Sequence, residues 1–116
     1  MARKLKLVIH VASKDRWKVA SKNAFNFLKS AEEGDELQVA IVANADAVTT
    51  CTECDRALFD RLKQVVIDGG KIYLCANSLR DFDIAPDRPP EIFDTVPAAI
   101  RALAEFQADG WIYVRA

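Results

Sequence analysis

The chain has 116 residues, of which 51% are hydrophobic and 28% charged, a balance typical of a globular protein rather than a disordered segment. We therefore expect residues 1–116 to form a single domain. The net charge of -1 excludes a generally basic nucleic-acid binder, although the first 30 residues hold eight Lys or Arg and one acid. The apolar run LVIHVA near the start is too short for a signal peptide or a membrane span, so we expect a cytoplasmic protein without a membrane partner.

Strand-like and helix-like patterns alternate along the chain. The runs LKLVIHV, LQVAIVA, KIYLCA and WIYV are apolar and β-branched, and stretches with helical spacing separate them. This alternation predicts a parallel sheet covered on both faces by helices. The first helix is expected over about residues 15–33.

The second helix is expected to begin near Thr52 or Asp55 and to end at Gly69-Gly70, which leads directly into the third strand. Residues 81–91 contain three prolines and are predicted to form a loop. The run IFDTV that follows is predicted to be a short fourth strand.

The last helix is expected to carry Pro97 in its first turn, because that position needs no amide hydrogen. Its spacing predicts an apolar face toward the sheet, and Gly110 is expected to end it. The residues expected on that face are Ile100, Leu103, Ala104 and Phe106 or Gln107.

Cys75 stands where the third strand ends and a polar turn begins. Loops at the carboxyl ends of parallel strands lie beside helix N-termini, whose free amide hydrogens stabilise a thiolate. The amides of Asn77, Ser78 and Leu79 would supply such hydrogens if a short helix follows, and Arg80 would add positive charge. The alternative is a small buried core residue, since free cysteines are among the most buried residue types.

Cys51 and Cys54 form a CxxC motif in the sequence TTCTECDR, near the predicted start of the second helix. A helix N-terminus lowers a thiol pKa, whereas the neighbouring Glu53 and Asp55 oppose thiolate formation. The motif permits a redox pair or part of a metal site. Tetrahedral zinc needs four ligands, and the chain has no second CxxC, so no metal is predicted.

His10 is the only histidine and lies near the end of the first strand. It is either a base beside a thiol or a hydrogen-bonded core residue. The sequence contains no GxGxxG, P-loop, HExxH or GxSxG pattern, and no cofactor is predicted.

Several stretches, in order, resemble the DsrE/DsrF-like sulfur-relay proteins over nearly the entire chain. They are LVIHVASKDRWKVASKNAFNFLK, VAIVANADAV, YLCANSL and VPAAIRALAEFQADGWIYVR. The resemblance implies a three-layer α/β/α fold with flavodoxin-like layering and a five-stranded parallel sheet in the order 4-3-2-1-5. It also implies a homotrimer or homohexamer.

In that family the cysteine after the third strand is proposed to carry sulfur as a persulfide, and Cys75 matches it. The implied strand order sets the ends of strands two and three side by side, so Cys51 and Cys54 are expected to approach Cys75 as a resolving or second-carrier pair. Two departures stand out: relatives often have His-Gly where this chain has Asn44-Ala45, and the CxxC is not general in the family.

The sequence thus favours a sulfur carrier or sulfurtransferase that exchanges sulfur with donor and acceptor proteins through Cys75. Two alternatives stay open. One is a non-catalytic oligomeric module that binds a ligand or partner and buries Cys75, and the other is a redox sensor that uses the CxxC disulfide.

Overall fold

Five parallel strands form the centre of the computed structural model, which describes residues 2–116. The strands are β1 (Lys4–Val11), β2 (Glu36–Ala43), β3 (Lys71–Cys75), β4 (Asp94–Val96) and β5 (Ile112–Arg115). Their spatial order is β4-β3-β2-β1-β5, and every pairing is parallel. The predicted sheet, its strand order and its short fourth strand are therefore confirmed.

Helices connect the strands, as the alternating pattern predicted. They are α1 (Trp17–Lys29), α2 (Thr50–Glu53), α3 (Arg56–Ile67), α4 (Ala76–Asp81) and α5 (Ala99–Ala108), with short 3-10 turns at Lys14–Arg16 and Ala45–Thr49. The Asp55 carboxylate accepts a hydrogen bond from the Leu58 amide at 2.8 Å and so caps the start of α3. The single second helix expected from the sequence is therefore two helices, α2 and α3, separated by Cys54 and Asp55.

The two faces of the sheet are covered unequally. Strand residues Ile9, Ile41 and Leu74 belong to a large core with α1, α3 and Leu79 of α4. Alternate residues, including Val8, Val42 and Cys75, belong to a second and smaller core with α5. Within residues 2–116, then, α5 is the helix that packs over the face bearing Cys75.

The last helix corrects two expectations. It begins at Ala99 with Ala98 as its N-cap, so Pro97 precedes the helix instead of occupying its first turn. Its buried residues are Ala99, Ala102 and Leu103, whereas Ile100 is 74% exposed. Ala104, also expected on the inner face, is exposed. Helical spacing alone permits either stripe, and the alanine stripe faces the sheet because small side chains let the helix approach it closely.

In the part of the chain that the structure describes, every helix is too short or too polar to cross a lipid bilayer.

Candidate functional site

Cys75 is the last residue of β3 and lies at the carboxyl edge of the sheet. It pairs with Val96 of the edge strand β4, and its side chain packs in the smaller core with Val42, Ala99 and Leu103. Only 5% of the residue is exposed. The sequence-based position at a strand end is confirmed, and so is the burial that the alternative interpretation expected.

Hydrogen-bond donors surround the Cys75 sulfur. Burial raises the pKa of the thiol, but donors that stabilise the thiolate outweigh burial, and the pKa lies below its ordinary value. The amide of Ala99, at the start of α5, donates to Sγ at 3.4 Å, and the Ser78 hydroxyl and the amides of Ser78 and Asn77 add to it at longer range. Cys75 is therefore a buried thiol whose surroundings favour its anion.

A strained turn holds Ser78 in place. The Ala45 amide donates to Ser78 Oγ at 2.9 Å, which leaves the hydroxyl hydrogen free to turn toward the sulfur. Ala45 has a φ of 53°, in the left-handed region that disfavours residues other than glycine. Backbone strain of this kind persists where the surrounding structure imposes it, often beside functional groups.

The remaining thiols have the opposite character. Burial raises the pKa of Cys51, and the positive charge of Arg88 only partly offsets it. Burial and the negative charge of Asp55 raise the pKa of Cys54, whose Sγ lies 3.4 Å from the Asp55 carbonyl oxygen. Both thiols are thus protonated at neutral pH, which disfavours their use as a reactive pair.

The three thiols do not share one cluster. Cys51 is buried in the large core and Cys54 packs against it, whereas Cys75 is in the smaller core on the other face of the sheet. The adjacent strand order brings the connecting segments together, but side-chain alternation along β3 turns Cys75 toward α5, whereas α2 packs Cys51 into the large core. Among residues 2–116, no group of three or more His, Cys, Asp or Glu side chains is placed to hold a metal ion.

His10 is a hydrogen-bonded residue that is 8% exposed. Its Nδ1 lies 2.7 Å from the Tyr113 hydroxyl, and its Nε2 lies 2.9 Å from Asn44 Oδ1. Both ring nitrogens therefore have partners, as the core interpretation of His10 predicted. His10 lies on the same sheet face as Val8, which belongs to the Cys75 core.

Asn77 and Arg80 are exposed on α4, beside Cys75. The Arg80 guanidinium donates to the Asn77 side-chain oxygen. This places a positive charge on the surface of the edge where Cys75 ends its strand.

Sequence reasoning did not assign roles to Ala99, Asn44 or Tyr113, because no short-range pattern links residues so far apart along the chain.

Comparisons with known proteins bear on the family and the fold. A family model described as the DsrE/DsrF-like family matches residues 6–115. The solved structure of a protein of unknown function, MTH1491 from Methanobacterium thermoautotrophicum, superimposes with a TM-score of 0.82 at 20% identity, covering 100% of both chains. A conserved protein of unknown function, BT1422 from Bacteroides thetaiotaomicron, gives a TM-score of 0.63 at 12% identity and covers 94% of each chain. A search of curated proteins finds no match.

Proposed function

Because the chain belongs to the DsrE/DsrF-like family, we propose that it is a sulfur-relay protein that carries sulfane sulfur as a persulfide on Cys75. One observation carries the proposal: of the three thiols, Cys75 is the one whose pKa is lowered, by donors from α4 and from the start of α5. The thiolate is the nucleophilic form of cysteine, so this difference selects Cys75 for sulfur exchange.

The proposed step is a thiol exchange in which atoms and electrons balance. The Cys75 thiolate attacks the outer sulfur of a donor persulfide, R–S–SH. The S–S bond of the donor breaks, R–S⁻ leaves with the bonding electron pair, and a new S–S bond joins Cys75 to the outer sulfur. Transfer to an acceptor thiolate repeats this step with Cys75 as the leaving group, so the cycle needs no oxidant or reductant.

Stabilisation of the thiolate also helps the second step. A thiol of low pKa leaves faster in exchange reactions, because it bears negative charge more readily. The Ala99 amide that accounts for the direct hydrogen bond to Sγ therefore assists both acceptance and release of sulfur.

Because Cys75 is buried, a sulfur donor must gain access to its Sγ atom. Asn77 and Arg80 are exposed on α4, the helix that follows Cys75, and the Arg80 charge suits an anionic donor. We infer that a donor reaches the sulfur from this edge when α4, a helix of six residues, moves locally. Donor and acceptor proteins are the proposed partners.

The proposed setting is a cytoplasmic homotrimer or homohexamer. Two large apolar side chains, Ile100 and Ile112, are 74% and 61% exposed, as expected of a subunit that buries them against other copies.

The test compares single substitutions in the full chain. The protein is incubated with a small persulfide and then with an acceptor thiol, and transferred sulfur is measured. Cys75→Ser is expected to abolish transfer, whereas Cys51→Ser is the matched control, a second buried thiol whose loss leaves transfer intact. Full transfer by the Cys75→Ser variant would refute the proposal.

A second candidate function is a non-catalytic oligomeric binding module in which Cys75 is a core residue. The 5% exposure of Cys75 favours it. Native alkylation separates the two, because a core thiol reacts only after unfolding, whereas a carrier thiol reacts in the folded protein.

A further inference from the structure

A row of polar side chains crosses the sheet face that bears Cys75. Tyr113 of β5, His10 of β1 and Asn44, the residue after β2, are joined by hydrogen bonds of 2.7 and 2.9 Å. His10 is 8% exposed, Asn44 is half-buried and Tyr113 is 37% exposed, so the row runs from the surface at β5 to a buried histidine next to the Cys75 core. Neither the proposed attack nor the proposed release of sulfur has used these three residues.

The directions of the hydrogen bonds fix the orientation of the Asn44 amide. Asn44 Oδ1 is the atom that faces His10 Nε2, and an amide oxygen only accepts, so the Nε2–H donates to it. A neutral imidazole carries one N–H, so Nδ1 accepts from the Tyr113 hydroxyl. With its oxygen held by His10, the Asn44 carboxamide directs its NH₂ group, which carries two donors, away from His10.

The sheet register places Asn44 beside Cys75. The last paired residues of β2 and β3 are Ala43 and Leu74, and the next residues along these strands are Asn44 and Cys75. Adjacent strands are about 4.8 Å apart. Asn44 keeps an extended backbone, with φ -141° and ψ -177°, so its side chain lies on the face of Val42, which is also the face of Cys75.

The donors that stabilise the Cys75 thiolate do not include Asn44. They come from α4 and from the start of α5. Asn44 approaches instead from the neighbouring strand β2, on the opposite side of Cys75 from its partner strand β4. A second sulfur bound to Cys75 Sγ therefore finds hydrogen-bond donors on the Asn44 side that the first sulfur does not use.

We propose that the Asn44 NH₂ group binds the outer sulfur of the Cys75 persulfide, and that His10 and Tyr113 are positioning residues that hold the amide in this orientation. The inference rests on the proposed function and adds a subsite to it. The outer sulfur bears the negative charge once the persulfide has lost its proton. Donors to a charged group contribute more than donors to a neutral one, so Asn44 stabilises the loaded protein.

The test uses two isosteric substitutions in the full chain. Asn44→Asp keeps an oxygen for His10 Nε2–H but removes the NH₂ donors. Tyr113→Phe removes the hydroxyl that is hydrogen-bonded to His10 Nδ1 and introduces no charge. Tyr73→Phe is the matched control, a second sheet tyrosine whose hydroxyl lies outside the row.

Each variant is equilibrated with glutathione persulfide and glutathione, and the loaded fraction at Cys75 is measured by mass spectrometry. The negative charge introduced by Asn44→Asp also changes the fraction of Cys75 present as thiolate. Loading is therefore compared at equal thiolate fraction, which is taken from the pH profile of alkylation. We expect loading about tenfold lower in Asn44→Asp, a smaller loss in the same direction in Tyr113→Phe, and no change in Tyr73→Phe.

Equal loading of wild type and Asn44→Asp at matched thiolate fraction would overturn the role of Asn44. An equal loss in Tyr73→Phe and Tyr113→Phe would show a general effect of sheet tyrosines and would overturn the positioning role. Absence of sulfur on Cys75 of the wild-type protein would overturn the proposed function itself, and this inference with it.

Discussion

Ser78→Ala tests whether the Ser78 hydroxyl stabilises the Cys75 thiolate. Ser78 is 7% exposed, its Oγ accepts the Ala45 amide, and its hydroxyl is one of the donors that lower the pKa of Cys75. A hydrogen bond to a charged group contributes about 1.5–3 kcal/mol, and the lower end applies because Ala99 makes the direct hydrogen bond. A loss of about 1.5 kcal/mol reduces the thiolate fraction at neutral pH about tenfold.

The assay is the rate of iodoacetamide alkylation of Cys75 against pH, with peptide mapping to assign the label. In Ser78→Ala the pKa of Cys75 is expected to rise, so the rate at neutral pH falls about tenfold while the plateau at high pH stays the same. Ser21→Ala is the matched control, because Ser21 is fully buried and its hydroxyl donates within α1 to the Lys18 carbonyl. Identical profiles for wild type and a folded Ser78→Ala variant would refute the role of the Ser78 hydroxyl as a donor to the Cys75 thiolate.

Three further predictions concern stability, each measured by chemical denaturation. Gly70→Ala is expected to destabilise the fold by about 2 kcal/mol, since its Cβ would lie 2.6 Å from Val65 Cγ1; a change below about 0.5 kcal/mol would contradict the packing. Trp17→Phe removes the hydrogen bond that Trp17 Nε1 donates to the buried Ala47 carbonyl at 2.8 Å, leaving that carbonyl the Thr50 amide as its donor, and puts a smaller ring in the core; it is expected to remove about 2 kcal/mol, and full stability would mean that this bond is dispensable. Cys75→Ala is expected to lose more stability, relative to wild type, at higher pH. Because folding lowers the pKa of Cys75, the thiolate stabilises the folded protein fully above the ordinary pKa of 9.0, and this stabilisation is lost as pH falls through the folded pKa. A stability difference between wild type and Cys75→Ala that does not change with pH would contradict the lowered pKa.

The sheet was predictable because each strand carries its own apolar run and each helix its own periodicity. Local signals also placed particular features: Asp55 caps α3, and Gly69, with a φ of 100°, follows the end of that helix. These features depend on residues close together in the chain, where sequence patterns are informative.

The face of each residue in the last helix was harder to predict. The stripes through Ala99 and through Ile100 both fit helical spacing, and contact with the sheet selects the alanines. The same limit applies to the thiols. Strand order brings the loops of Cys51 and Cys75 together, but the packing of each side chain assigns them to opposite faces.

The candidate site was predictable only in part. Its central residue, Cys75, follows from the end of a strand and from the resemblance to a family. The donor from Ala99 and the row of Asn44, His10 and Tyr113 join residues from distant parts of the chain. Such contacts depend on tertiary register, and a single sequence does not carry that information locally.

The location of added sulfur on the native wild-type protein tests most directly whether Cys75 carries sulfane sulfur. The protein is incubated briefly with glutathione persulfide at neutral pH, alkylated, and examined by intact mass and peptide mapping. We expect one added sulfur, found on the peptide that contains Cys75, while Cys51 and Cys54 stay unmodified. Sulfur on the Cys51–Cys54 peptide, or on Cys75 only after denaturation, would contradict this expectation.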